Sequence, residues 1–319
     1  MTKTSKPLKC YNKGEPLPKV PPTVAPIIKS SSEVKSKFTL LKGDCLEKMK
    51  AMPDKSIDLI ICDLPFGCLT NQSGESKGFA RDSHKGTSLE KKLANQSGSG
   101  CAWDIKIDLE VFWKEVKRIR RDDHTPTLMF TTTRYGYELI GSNPKEFRYD
   151  LVWDKQRGVS FLSANKMPMR SHEMIYVFSK AGANYNRIDI EVEGAKECRQ
   201  FGKAKVGGVY GLIRENEVVR PVGTITSKEG MRCILSVINS KNTYKGKHPT
   251  EKPIELYKFL IERYSSEGDE VFDPTFGSCN SGFACKELNR SYIGCEKDTS
   301  FFWKATNKLL TLDGKTNIN

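Results

Sequence analysis

No CxxC pair occurs among the ten cysteines of this 319-residue chain, and none of their spacings suits a metal centre. Several sit inside apolar runs. The expectation is reduced thiols in a cytosol-like compartment, no metal, and a core large enough to fold without disulfide staples. The chain also lacks an apolar stretch of membrane-spanning length, and its first residues, MTKTSKPLKCYNKGEPLPKVPP, lack the apolar segment of a signal peptide. A soluble, intracellular, cytoplasmic protein with no membrane partner is therefore expected. Neither GxGxxG nor GxxxxGK[ST] is present, which disfavours a dinucleotide enzyme and a P-loop ATPase.

Acidic residues are the scarcer charge. Against 52 Lys plus Arg stand 39 Asp plus Glu, a net +13, which favours a polyanionic partner such as nucleic acid. The excess is uneven: residues 1–37 carry eight lysines against Glu15 and Glu33, so 8 − 2 = +6. With its prolines and few large apolar residues, this segment is expected to be a disordered basic arm that either grips phosphates or solubilises the chain.

Folding signals begin at FTLLKGDCLEKMKAMPDKSIDLIICDLPFG, where strand, Gly-Asp turn, helix and apolar strand follow in order. Residues 68–101 then turn polar and Gly/Ser-rich and repeat NQSG, which predicts a mobile insertion. IDLEVFWKEVKRIRRD has helical spacing, and TPTLMFTTT, FRYDLVWDKQ and SHEMIYVFSK read as strands. From about 181 to 245 the pattern dissolves into Gly, Lys, Arg and Asn. A helix over KPIELYKFLIERYS, a strand DEVFD, a loop PTFGSCNSG, a helix FACKELN and a strand YIGCEKD close the chain. Two β-α-β units on one chain predict an α/β, doubly wound sheet.

Two stretches carry chemistry. FDPTFGSCNSG joins a strand to a helix through small residues that let backbone amides approach a ligand, and Glu296 closes the following strand about 20 residues after Asp273. That spacing suits a carboxylate on ribose hydroxyls, so a nucleoside-bearing cofactor fits; an ordinary strand-to-helix turn has the same form. In LIICDLPFG, a buried run ends at Asp63, Leu64, Pro65 and Phe66. Asp63 and backbone carbonyls offer acceptors and Phe66 a flat apolar face, a set suited to a planar base with an exocyclic amine. The alternative is an Asx turn with the Phe in the core.

Together, GDCLEKMKAMPDKSIDLIICDLPFG, FRYDLVWDKQRGVSFLSANKMPMRSHEMIYVFSK and HPTEKPIELYKFLIERYSSEGDEVFDPTFGSCNSGFACKELNRSYIGCEKD closely resemble the S-adenosyl-L-methionine-dependent DNA amino-methyltransferases, phage and prophage type, over roughly residues 38–310. The Asp-x-Pro-aromatic element precedes the cofactor loop, the order of the permuted β group. The resemblance implies a mostly parallel Rossmann-like methyltransferase sheet with an inserted target-recognition region, and adenine N6 in double-stranded DNA as substrate. Beyond the arm 1–37, which like the 68–101 insertion has no counterpart in the family pattern, it divides the chain into a catalytic half 38–180, target recognition over 181–245 and a cofactor half 246–319. Asp63, Leu64, Pro65 and Phe66 would be catalytic. Cys45, Asp273, Thr275, Phe276, Gly277, Ser278, Glu296 and Lys297 would hold the cofactor, with Asp44 reaching its adenine. His248, Pro249, Thr250 and Lys252 of HPTEKP would line its methionine end, and Asp63 would also border the cofactor.

Each of these has a plainer reading as well. Asp44 could be a helix N-cap, His248 a loop residue whose backbone alone is used, and Lys252 a solvated charge. The family's usual Asp-Pro-Pro-Tyr is here Asp-Leu-Pro-Phe, which keeps the carbonyl and the stacking face and loses a hydroxyl. Cys279 stands where glycine is common, which brings a weakened cofactor site into view. N4 of cytosine asks for the same amine chemistry, and Asp rather than Ser at position 63 favours adenine. RNA or protein-glutamine methylation normally has the cofactor loop first; a DNA-binding protein with an inactive methyltransferase fold is the remaining rival. Homodimer and monomer both fit, and no partner endonuclease is implied.

Overall fold

The computed structural model describes residues 36–67, 104–159, 161, 164–196, 198–200, 224–241, 251–313 and 317–318, within one unit that starts at Lys35. All but the last two residues of the basic arm, the 68–101 insertion, residues 197, 201–223 and 242–245 of the recognition stretch, and His248, Pro249 and Thr250 lie outside the described residues. In chain order the elements are β1 (Phe38–Lys42), α1 (Cys45–Lys50), β2 (Leu59–Cys62), α2 (Leu109–Ile119), β3 (Thr127–Thr131), α3 (Thr133–Ser142), β4 (Phe147–Val159) and β5 (Arg170–Phe178). Four short strands follow, β6 (Ile190–Glu191), β7 (Cys198–Gln200), β8 (Thr224–Ser227) and β9 (Met231–Arg232). The chain closes with β10 (Val237–Asn239), α4 (Ile254–Tyr264), β11 (Glu270–Asp273), α5 (Asn280–Glu287), β12 (Ser291–Glu296), α6 (Thr299–Asp313) and β13 (Asn317–Ile318).

Nine strands form one sheet in the order β10-β4-β5-β3-β2-β11-β12-β1-β13. Among them β5 alone runs against the rest, pairing antiparallel with both β3 and β4. Successive residues of the central strands serve opposite faces. Leu59 and Ile61 of β2 meet Leu256, Leu260 and Phe283 from α4 and α5, whereas Ile60 and Cys62 meet Met49, Phe112 and Val116 from α1 and α2. Both faces of the sheet are thus roofed by helices, which is why β2 and β3 are buried along their whole length and carry no polar alternation.

Three elements escape the sequence pattern. TRYGYELIGS, with two glycines, has little helical propensity of its own; α3 forms because Thr132 caps it and Tyr135 and Leu139 are buried beneath it. Asp298 opens α6 by accepting from the Ser300 and Phe301 amides. β10 lies within the stretch read as target recognition, yet it pairs with β4 and extends the main sheet. The helix expected from Phe283 also begins earlier, at Asn280.

The order of strands positions the site. β1 and β2 flank the first helix in sequence, but β11 and β12 stand between them in the sheet. From β2 the chain proceeds outward to β3, and from β11 outward to β12, so the loops after β2 and β11 diverge. That divergence is a topological switch point, where an open α/β sheet leaves a crevice beyond the carboxyl ends of its strands.

Candidate active site

A cavity of about 1170 Å³ opens at this crevice. Among the described residues, Asp44 and Cys45 after β1, Asp63 to Phe66 after β2, Thr275 to Ser278 after β11, and Glu296 and Lys297 at the end of β12 all line it, as does Lys252. The two motifs are tied to each other: the Thr275 hydroxyl donates to the Asp63 carbonyl at 3.1 Å. Gly67, at φ +67°, is pinned by its amide to Asp104 at 2.9 Å, which fixes the exit of DLPFG. The Phe66 ring rests on Tyr135, centroids 5.2 Å apart.

Asp44 is the N-cap of α1 and also stands at the cavity wall. Its Oδ1 caps α1 by accepting from the Leu46 amide at 3.0 Å, and Oδ2 stands 3.2 Å from Lys297 Nζ at the cavity wall. Glu296 accepts from Gly277 N at 3.0 Å and Asp298 N at 2.7 Å, so the small-residue loop is folded onto its carboxylate.

Asp273, expected to hold the cofactor, stands beneath the loop rather than at the cavity wall. It is 1% exposed and is not among the residues lining the cavity. Its Oδ1 accepts from Thr275 N at 3.0 Å and its Oδ2 from the Ser281 hydroxyl at 2.5 Å, so it braces the loop and the start of α5 from beneath. Burial pushes its carboxyl up to about 7 from an ordinary 3.8. A raised acid binds its proton more tightly folded than unfolded, so its contribution to stability is full below about 4 and lost as pH rises through about 7. Asp273→Asn is therefore expected to gain stability relative to the native chain between pH 5 and pH 8. Urea unfolding at both pH values tests this; a stability difference that does not change with pH refutes it.

The Cys279 side chain is fully buried and turned away from the cavity, its Sγ 3.9 Å from the Tyr292 hydroxyl. Its backbone sits in the left-handed region at φ +62°, where a non-glycine residue costs about 1–2 kcal/mol. Gly282 makes room for it, since a Cβ there would lie 2.7 Å from the Cys279 sulfur. The departure from glycine thus strains the loop without blocking the cleft.

Lys252 is not a solvated charge. It is 5% exposed, and its Nζ stands 2.6 Å from Asp63 Oδ2 and 3.3 Å from Glu173 Oε2. Asn280 holds it there, donating to the Lys252 carbonyl at 2.7 Å and to Glu251 Oε1 at 2.9 Å. Lys155 pairs with Glu173 from the other side. Glu173 and Lys155 were missed in the sequence, although their parity was readable: Lys155 is two residues beyond buried Trp153, and Glu173 two before buried Ile175, on the core-facing side of β4 and β5. Burial works against the Lys252 ammonium, but two carboxylates hold its pKa above the ordinary value. Burial, helped by the Glu173 charge, pushes Asp63 up against the pull of Lys252 and, less strongly, Lys155, whereas Glu173, buried as well, is brought below the usual range by the same two lysines.

Residues 57–307 match the family model described as DNA methylase, of the N6/N4 type. The chain belongs to that family. As a DNA methyltransferase it is similar to the type II methyltransferase M.HinfI of Haemophilus influenzae, 26% identical over 282 residues that make up 85% of this chain and 68% of the relative. It is also similar to M.HindIII of Haemophilus influenzae, at 23% over 303 residues, 85% of this chain and 94% of the relative. The solved structure of the PvuII DNA methyltransferase, cytosine-N4-specific, shares the fold of this methyltransferase with a TM-score of 0.52 at 16% identity, covering 85% of this chain and 86% of that one. Among the described residues no group of His, Cys, Asp and Glu could hold a metal ion, and no helix is long and apolar enough to cross a membrane.

Proposed function

We propose that this methyltransferase transfers the methyl group of S-adenosyl-L-methionine to N6 of an adenine rotated out of duplex DNA. The observation that carries the reading is Asp63, a carboxylate at the end of β2, sharing one cavity with Phe66 and with the small-residue loop folded on Glu296. The donor set fits the cofactor: Asp44 and Glu296 offer acceptors for the adenine amine and the ribose hydroxyls, and Phe276 offers an apolar wall. When bound, the cofactor supplies a methyl group already activated by positive sulfur, so the target nitrogen needs orientation more than deprotonation.

The chain's own residues provide that orientation. Asp63 Oδ2 is engaged by Lys252, which leaves Oδ1 to accept one amine hydrogen while the Leu64 carbonyl accepts the other. Two such bonds draw the nitrogen lone pair out of conjugation with the ring. Phe66 stacks on the base, worth about 1–3 kcal/mol against a flipping cost of a few kcal/mol. A carboxylate rather than a serine hydroxyl at position 63 supports adenine over cytosine. The order of motifs supports the permuted β group, with target recognition between them over 181–245.

Nucleoside mass spectrometry on mixed-sequence duplex DNA, incubated with the protein and methyl-deuterated S-adenosyl-L-methionine, tests the reading. Labelled N6-methyladenine is the expected product. Labelled N4-methylcytosine keeps the amine chemistry and overturns the base, and unlabelled DNA overturns the proposal.

A further inference from the structure

We infer that Lys252, Glu173 and Lys155 form a positioning network for Asp63, in which Lys252 keeps that carboxylate ionised and turned toward the target amine while Glu173 and Lys155 set how much of the Lys252 charge it receives. The inference rests on the methyl-transfer reading and deepens it. Four charged groups of alternating sign meet at the floor of the cavity, Asp63 to Lys252 at 2.6 Å, Lys252 to Glu173 at 3.3 Å, and Glu173 to Lys155 in contact. They come from the loop after β2, the segment before α4, β5 and β4, and their charges sum to zero.

Such a cluster is costly to bury and is weak evidence for stability as such, because well-packed apolar residues in its place are often as stable or more so. Its composition instead answers a chemical need. An isolated aspartate in this crevice would be driven toward its neutral form, and a protonated carboxyl is a poor acceptor for an amine. One lysine on Oδ2 opposes that, and it also fixes which oxygen remains for the substrate. Glu173 acts in the other direction: it adds negative charge near Asp63 and shares the ammonium. Lys155 neutralises Glu173 from behind and stands 5.2 Å from the Trp153 ring centroid, which keeps it in place.

The other groups that face Asp63 do not supply this control. Cys62 of β2 and Tyr257 of α4 are both buried, with proton affinities pushed well above their ordinary values, and stay neutral at working pH. Asp273 of β11, raised to about 7, faces Asp63 in the native chain and in every variant below alike. Glu251 is turned to Asn280.

The network predicts shifts of opposite sign in the acid limb of the rate profile. With the native enzyme and duplex DNA under single-turnover conditions, Lys252→Met removes the positive partner, so the limb is expected to move up by at least about one pH unit. Lys155→Met moves it up by less. Glu173→Gln, nearly isosteric, removes a negative neighbour and moves the limb down. Lys252→Arg keeps the charge and is expected to restore the native limb even where its rate is lower. A structural role alone would lower the rate equally at all pH values. Native enzyme that is active with an unmoved limb in Glu173→Gln overturns the network, whether or not Lys252→Met folds. Native enzyme that labels no base overturns the methyl-transfer reading, and the network with it.

Discussion

Asp63→Ala is expected to lower methyl transfer to duplex DNA by at least about 10³-fold, while the affinity for S-adenosyl-L-methionine changes little. The magnitude is that of removing one preorganised polar group from a reaction centre. The affinity is spared because the small-residue loop and Glu296 keep their own bonds, Gly277 N to Glu296 at 3.0 Å and Thr275 N to Asp273 at 3.0 Å. Truncation has a second effect, since it leaves the Lys252 ammonium buried beside the Glu173 carboxylate without its closer carboxylate partner. Breaking a buried pair from one side costs about 3–5 kcal/mol. Asp63→Asn is therefore the companion variant: it keeps the volume and an oxygen for Lys252, but it removes the charge and presents an NH2, which donates and cannot accept, where Oδ1 faces the target amine. Isothermal calorimetry with the cofactor and single-turnover labelling of DNA, done on both variants, separate the two effects. Full activity in folded Asp63→Asn and Asp63→Ala would remove Asp63 from the reaction.

Gly294→Ala is expected to weaken cofactor binding about tenfold or more, a loss of about 1.4 kcal/mol, and to lower stability by about 1–3 kcal/mol. Gly294 lies within β12, pairing with Asp273 of β11 on one side and Leu40 of β1 on the other, so the backbone there has no freedom to retreat. A Cβ at this position would fall 2.7 Å from Phe276 and 2.7 Å from Tyr292, both almost completely buried. Tyr292 cannot yield without breaking its 2.8 Å contact with the Ser281 hydroxyl, which itself holds Asp273. Phe276 is the side with space, because it borders the cavity. The added methyl group should drive that ring into the cleft. Thermal unfolding and cofactor titration should change together; native cofactor affinity in the variant would show that the Phe276 ring is not part of the binding wall.

What the sequence determined by itself was local. LIIC reads as a buried strand because four consecutive residues are apolar and three of them aliphatic, and the break at Asp63 marks the strand's carboxyl end. The glycine-bearing loop after DEVFD and the acidic end of YIGCE are legible for the same reason, since each depends on neighbours a few residues away. The motif residues therefore converge where the fold class says a ligand sits.

Tertiary structure decided the rest. That β11 and β12 enter between β1 and β2 follows from long-range packing of both sheet faces, and no local period encodes it. α3 exists because its buried residues need cover, against the propensity of its glycines. Asp273 resembles a ligand in sequence, yet the turn at the end of β11 points it inward to Ser281. Lys252 lies 189 residues from the aspartate it pairs with. Local periodicity reports which face a side chain serves, but the partner it meets there is set by which strands the chain brings side by side.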